Sequence, residues 1–74
     1  MNAIQATYTI LDNMPDGYTF TGSSLEYNVE QLTGKWHYPA TVLRMMRMWR
    51  KNNREVKCIN RAKSLYRIGV KNEI

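Results

Sequence analysis

Several kinds of residue are scarce in this 74-residue sequence, and each scarcity excludes a class of protein. The single cysteine, Cys58, can form neither an internal disulfide nor a zinc site alone, which excludes the staples of small secreted domains. The single histidine lacks paired carboxylates nearby, and there is no glycine-rich phosphate loop, so we predict no enzyme, metal or cofactor. Polar residues interrupt the uncharged N-terminal stretch, which excludes a signal-peptide core and a membrane span.

The length allows one compact domain over residues 1–74, and 43% hydrophobic residues suffice for one small core. We expect a soluble, cytoplasmic protein, associated with the nucleoid if its host is bacterial or archaeal. No small-molecule substrate is evident in the sequence.

Positive charge is absent from the first 34 residues, which contain four acids and no Lys or Arg. Residues 35–74 hold all eleven basic residues against two acids, and the whole chain carries a net charge of +5. A surface built by the second half therefore has a positive potential, for which a polyanion is the usual partner. A solvated surface that only promotes solubility is the alternative.

The first half predicts two helices around a short strand. Asn2 and Gln5 form a capping pair for a first helix, in which Ile4, Tyr8, Leu11 and Met14 make an apolar stripe. Pro15-Asp16-Gly17 then predicts a turn before the alternating strand 18–21. A capping box from Ser23 to Glu26 predicts a second helix, with an apolar stripe of Leu25, Val29 and Leu32, which ends at Gly34.

The strongest predicted helix is the third, over residues 39–53, after a short connection at 35–38. At about 100° per residue, one sector facing the core contains Val42, Met45, Met46 and Trp49. The opposite side contains Ala40, Arg44, Arg47 and Lys51, so the helix has an apolar and a cationic face. We expect a left-handed cap at Asn52-Asn53 to end it.

The remaining residues predict a two-stranded hairpin over 55–70. Val56 and Cys58 form one apolar face, and Tyr66, Ile68 and Val70 form the other, although Ile59 interrupts the alternation. The connecting segment 60–64 is strongly basic, and residues 71–74 are expected to fray.

This order of elements resembles the winged helix-turn-helix family over nearly the whole chain. The supporting features are the capping box at 23–26, Gly34 before the turn, the Met and Trp49 stripe of the third helix, and the basic hairpin tip. The resemblance implies an α+β winged-helix fold, with a three-helix core, a short strand and a C-terminal β-hairpin wing. It also implies that the third helix enters the major groove of DNA, while the hairpin lies along the backbone or an adjacent minor groove.

We predict two sets of DNA contacts, in addition to Lys35 in the turn. The set facing the bases comprises His37, Tyr38, Ala40, Thr41 and Arg44, since the N-terminal part of such a helix usually reaches deepest. The phosphate-contacting set comprises Arg47, Lys51, Arg54, Lys57, Arg61, Lys63 and Arg67.

Four of the distinctive residues have ordinary structural interpretations. We expect Trp36 to pack in the core or turn rather than stack on a base, and His37 to be a polar turn residue. Cys58 is expected to be a buried strand thiol, and Met48 lies at the exposed edge of the apolar stripe.

The leading functional prediction is sequence-specific binding of double-stranded DNA by a small transcriptional regulator or recombination accessory factor. A module this small binds weakly alone, so we expect a homodimer or a cooperative partner protein, with the Tyr8 and Ile10 side of the first helix as a candidate contact. The alternative is a protein-interaction module whose basic surface docks an acidic partner. RNA binding is disfavoured, because no aromatic strand surface is present to stack unpaired bases.

Overall fold

The computed structural model describes residues 1–71 of the chain. Its first helix is α1 (Ala3–Asp12). The predicted capping pair is confirmed, since Gln5 N donates to Asn2 Oδ1 (2.8 Å) and Asn2 N donates to Gln5 Oε1 (3.1 Å). The predicted stripe is only partly right: Leu11 is fully buried, whereas Ile4 is 48% exposed. Thr7 is buried instead, because its hydroxyl donates to the Ala3 carbonyl (2.8 Å) and needs no solvent.

The predicted turn after α1 is confirmed. Gly17 has a φ of 80°, and Tyr18 N donates to the Pro15 carbonyl at 3.1 Å, so the chain reverses there. The strand that follows, β1 (Thr19–Thr21), is one residue shorter than predicted.

The second helix, α2 (Gly22–Thr33), is capped by a different pair from the predicted one. Thr21 is the N-cap: Ser24 N donates to its hydroxyl (3.1 Å), and Thr21 N donates to Ser24 Oγ (3.2 Å). The prediction of a cap at Ser23 with Glu26 is wrong because Gly22 and Ser23 are already helical, while Thr21 is still extended. Gly34 ends the helix in the left-handed region, with φ 74°.

The third helix, α3 (Pro39–Asn52), ends without the expected left-handed cap. Asn53 has φ −129° and ψ −119°, and its side-chain amide donates to the Trp49 carbonyl at 2.8 Å. The Asn53 side-chain amide thus donates to a carbonyl of the last helical turn, a role that a backbone N–H plays in a left-handed cap. The predicted core sector is confirmed, since all four of its residues are buried.

The predicted hairpin is present as β2 (Arg54–Asn60) and β3 (Leu65–Lys71). It belongs to a three-stranded antiparallel sheet of order β1-β3-β2, because β1 pairs with the other side of β3. The register shifts once between Arg54 and Val56 and again between Cys58 and Asn60. The second shift leaves Ile59 without a partner on β3, which explains why it breaks the alternation. The frayed end predicted over 71–74 is wrong at Lys71, whose backbone belongs to β3 and pairs with Arg54. The side chains of Val70, predicted to be apolar-facing, and Lys71 lie outside the described part of the chain, as do residues 72–74.

The inner face of the sheet and the three helices share one apolar core. Val56 pairs with Ile68 on the inner face, and both are buried together with Phe20. Lys57 pairs with Arg67 on the outer face, where both side chains are exposed. The class is therefore α+β, with helices on one side of an antiparallel sheet. Within residues 1–71, no helix is both long and apolar enough to cross a bilayer.

Trp49 fixes how α3 sits on this core. Its side chain is 1% exposed, and its indole N–H donates to Asp12 Oδ1 at 2.8 Å. Replacing it with Phe removes that hydrogen bond and leaves a void, so we expect Trp49→Phe to lower the free energy of unfolding by roughly 1–3 kcal/mol. Urea unfolding measures this, with Trp36→Phe as the control because Trp36 is 62% exposed. Equal midpoints for the two variants would contradict the anchoring role.

Gly69 permits a close approach between β3 and β2. A Cβ on Gly69 would lie 2.9 Å from Glu55 Cβ and 3.3 Å from the Glu55 carbonyl oxygen. Since backbone must move to relieve that contact, we expect Gly69→Ala to destabilise the fold by about 1–3 kcal/mol in thermal or urea unfolding. Gly22→Ala is the control, because the nearest atoms there are at ordinary contact distance, 3.5 Å or more. A Gly69→Ala variant as stable as that control would show that the strand contact is not close.

Candidate nucleic-acid interface

The outward face of α3 carries the cationic residues predicted for it. The exposed residues on this side are Ala40, Arg44, Arg47 and Lys51. Their direction follows from helical periodicity, because Val42 and Trp49 on the opposite side are buried against the other elements. Among the described residues, neither Arg44 nor Lys51 forms a salt bridge, so their charges are not neutralised by the protein.

Two aromatic side chains extend from the connection between α2 and α3. Trp36 is 62% exposed and Tyr38 is 69% exposed, and their rings meet edge to face with centroids 4.8 Å apart. Of the two places expected for Trp36, the turn is right and the core is wrong, because the ring packs against Tyr38 and stays largely exposed. Lys35, in the same connection, is exposed, and Thr33 Oγ1 holds its backbone through bonds of 3.1 and 3.2 Å.

The residues predicted to face bases are not equally accessible. Tyr38, Ala40 and Arg44 are exposed, whereas His37 and Thr41 are half-buried. His37 Nδ1 is buried and has no hydrogen-bond partner among the described residues. Among the residues predicted to face bases, Arg44 therefore has the longest exposed side chain that can donate hydrogen bonds to a ligand approaching α3 from outside.

Arg54 differs from the other basic residues because its guanidinium is used inside the protein. Its side chain is 12% exposed, and NH1 donates to Asp16 Oδ1 at 3.0 Å. NH2 donates to the Leu11 carbonyl at 2.8 Å, and the guanidinium carbon lies 5.7 Å from the centre of the Trp49 ring. The predicted phosphate contact at Arg54 is thus replaced by a bracket between the end of α1 and the start of β2.

A cleft of about 250 Å³ lies between α3 and the β2–β3 turn. Three arginines line it, Arg47 and Arg50 from α3 and Arg61 from the turn. The remaining lining residues are Leu43, Met46, Cys58, Ser64 and Tyr66. We refer to this feature as the arginine cleft.

Cys58 lines the arginine cleft and is exposed, so the prediction of a buried thiol is wrong. It shares the inner face with Val56, but it pairs with Tyr66 toward the hairpin tip, beyond the tightly packed core. Sequence reasoning also missed Arg50. Helical periodicity puts Arg50 on a flank beside Leu43, and only the position of the hairpin shows that this flank faces the turn.

The basic residues of the hairpin occupy different sides. Arg61 faces the arginine cleft, whereas Lys57 and Arg67 project from the outer face of the sheet, away from α3. Lys57 Nζ lies 3.7 Å from Glu55 Oε1, a loose pair on the surface. Lys63 is exposed in the turn, and its backbone N–H donates to Asn60 Oδ1 at 3.2 Å. The predicted phosphate contacts therefore do not form one continuous surface.

Acidic residues are largely kept off the cationic side. Asp12 and Asp16 accept hydrogen bonds from Trp49 and Arg54 at the far end of α1. Glu26, on α2, is half-buried, and burial raises the pKa of its carboxyl above the usual value. None of the residues that line the arginine cleft is acidic, but Glu26 Oε2 lies near its edge, since it, Leu43 Cδ2 and Ser64 Oγ are all within 3.6 Å of a Cβ built on Gly22.

No family model, curated protein or solved structure matches this sequence. Within the described residues, no group of three or more His, Cys, Asp or Glu side chains is placed to hold a metal ion. The functional interpretation therefore depends on the geometry and charge of the surfaces described above.

Substitution of Arg54 should lower the stability of the fold much more than substitution of Arg44. Arg54→Ala removes charge-assisted hydrogen bonds to the α1 end, so we expect a loss of roughly 1.5–3 kcal/mol in the free energy of unfolding. Arg44→Ala removes the same charge from an exposed position, and we expect a change within about 0.5 kcal/mol. Chemical denaturation of both variants measures the difference. If Arg54→Ala unfolded at the wild-type midpoint, its assignment as an internal bracket would be incorrect.

Proposed function

We propose that this protein binds double-stranded DNA as a winged helix-turn-helix domain, with α3 in the major groove and the β2–β3 hairpin as the wing. The observation that carries the proposal is the cationic outward face of α3, opposite the sector that packs on the core. The α+β arrangement of three helices and a β-hairpin is compatible with that family.

The dimensions of α3 suit the major groove. An α-helix with its side chains is about 10–12 Å across, and the groove is about 12 Å wide. Arg44 is exposed near the N-terminal end of α3, where a guanidinium can donate two hydrogen bonds to O6 and N7 of guanine. Ala40 and Thr41 are small enough to contact a thymine methyl group, and Tyr38 and His37 lie at the entry of the helix.

The phosphate contacts divide between α3 and the wing. Arg47, Lys51 and Lys35 extend from α3 and the preceding turn, and Arg61 and Lys63 extend from the hairpin turn. Lys57 and Arg67 would reach only a strand that wraps around the outer face of the sheet. Such contacts set affinity and register rather than sequence preference. Arg54 is left out of this set because its donors are engaged within the protein.

The biological role that fits such a domain is transcriptional regulation or assistance in recombination. One module buries only about 600–1,000 Å² on DNA, which favours a homodimer or a cooperative partner on the same site. Tyr8 and Ile10 are half-buried and pack against the core, so on the side of α1 expected to mediate a dimer the free apolar surface comes mainly from Ile4, which is 48% exposed.

Salt dependence separates DNA binding from the docking of an acidic protein. If four to six phosphates are neutralised, the logarithm of the affinity for duplex DNA should fall with the logarithm of salt concentration at a slope near −4 to −5. Fluorescence anisotropy with a labelled duplex pool measures this slope. A protein that binds an acidic partner instead would show no binding to the duplexes.

Arg44 and Lys63 should affect different properties of the complex. After selection and sequencing of preferred duplexes, we expect Arg44→Ala to weaken the preferred site by roughly 1–3 kcal/mol and to relax its sequence preference. Lys63→Ala should weaken preferred and random duplexes alike, because a phosphate is the same in every sequence. An equal loss on both duplexes for Arg44→Ala would remove it from the base-reading set.

A further inference from the structure

The arginine cleft combines features of an anion site that the base-reading face of α3 does not have. Arg47, Arg50 and Arg61 converge on it from two separate elements, α3 and the hairpin turn. Among the described residues, none of these guanidinium groups forms a salt bridge. The Glu26 carboxylate lies beside the lining, since a Cβ built on Gly22 would be 3.6 Å from Glu26 Oε2 and 3.5 Å from Ser64 Oγ, but among the described residues it forms no salt bridge with these arginines. A bound anion would reduce the repulsion among the three positive charges.

The cleft is large enough to admit a phosphate group. Its volume of about 250 Å³ lies below the roughly 300–1,000 Å³ of pockets that enclose drug-sized ligands. It also lies well above the roughly 30 Å³ that one water molecule occupies. The cleft can therefore hold a tetrahedral phosphate group. A planar guanidinium group can donate two parallel hydrogen bonds to a pair of phosphate oxygens.

Apolar side chains form part of the cleft lining. Leu43, Met46 and Tyr66 line it together with the arginines, which are themselves exposed, so an anion bound there would have apolar protein surface on one side and water on the other. Coulomb attraction to an anion is larger where the local dielectric constant is lower. The Ser64 hydroxyl adds a neutral donor to the same lining.

The two walls of the cleft are held in place by the fold. Gly22 N donates to the Ser64 carbonyl at 2.9 Å, which ties the end of the hairpin turn to the start of α2. Gly22 also lies against Leu43, since a Cβ built on it would be 3.5 Å from Leu43 Cδ2. The turn and α3 therefore meet at a common point, and the backbone of the two walls needs little rearrangement when an anion enters, although the exposed arginine side chains must still be ordered.

We propose that the arginine cleft binds one phosphate of the DNA backbone, held by Arg47, Arg50 and Arg61 between α3 and the wing. The inference rests on the proposed function and extends it, because it names Arg50 as a contact and places a DNA strand across the α3–turn junction. Arg47 lies between the cleft and the outward face of α3, so a strand bound there continues past the base-reading residues.

Cys58 allows the cleft to be tested without DNA. It is the only cysteine, it is exposed, and it lines the cleft. We expect an anionic methanethiosulfonate reagent to modify Cys58 about tenfold or more faster than a cationic one, because the local potential concentrates anions. The ratio should fall in the Arg50→Gln/Arg61→Gln variant. It should change little in the Lys57→Gln/Arg67→Gln control, which loses the same charge from the opposite sheet face. Equal ratios in the wild-type protein and the cleft variant would overturn the anion site.

The DNA arm uses the same two double variants, after circular dichroism has shown that both are folded. Duplex DNA should protect Cys58 from a neutral maleimide, and the cleft variant should lose about tenfold or more in duplex affinity, well beyond the control. If the wild-type protein binds duplex but Cys58 stays reactive and both variants lose affinity equally, the cleft assignment fails while DNA binding stands.

A further measurement with inorganic pyrophosphate distinguishes a phosphate of the DNA backbone from a free phosphate compound as the ligand of the cleft. Protection of Cys58 by pyrophosphate, in a protein that binds no duplex, would overturn both the backbone assignment and the proposed DNA binding. It would instead assign the cleft to a free phosphate compound. Protection by duplex at concentrations far below those needed for pyrophosphate is the result expected from a backbone site.

Discussion

The orientation of α3 depends on one buried side chain, the indole of Trp49. Its ring is the largest fully buried side chain in the core, its N–H reaches Asp12 on α1, and its backbone carbonyl accepts from Asn53. The Arg54 guanidinium then covers the ring and reaches the end of α1. A helix held at these points cannot rotate about its axis without exposing the ring or breaking the polar contacts. The direction of Arg44, Arg47 and Lys51 is therefore a consequence of how the core packs.

The same packing explains how the uneven charge of the sequence becomes an uneven surface. The acids at the end of α1, Asp12 and Asp16, are occupied by Trp49 and Arg54, on the side where the core is closed. The basic residues of α3 and the hairpin turn have no such partners among the described residues. A net charge of +5 thus understates the positive potential of the α3 side, because compensating acids are held elsewhere.

Prediction from sequence worked where a signal was local and periodic. The α3 faces, the capping pair of α1 and the hairpin follow from spacing that the short-range backbone geometry enforces. Prediction was wrong where two N-caps compete, as at α2. The sequence favours Ser23 as the N-cap, but Thr21 takes that role because it ends β1 and is still extended. Prediction was also wrong where tertiary position decides. Arg54 looks like any exposed cation in the sequence, and its side chain is largely covered only because α1 ends beside it. The arginine cleft could not be predicted either, because it forms between elements separated by the β2 strand.

The two register shifts between β2 and β3 have a consequence for how copies of this protein can meet. β2 lies at one edge of the sheet, and only the stretch from Val56 to Cys58 keeps a regular register between the shifts. An edge this short and twisted, with Glu55 and Lys57 exposed on it, offers a poor template for a strand from another molecule. Growth of the sheet from chain to chain is therefore discouraged. Molecules of this protein can therefore come close together without the sheet of one extending into the next.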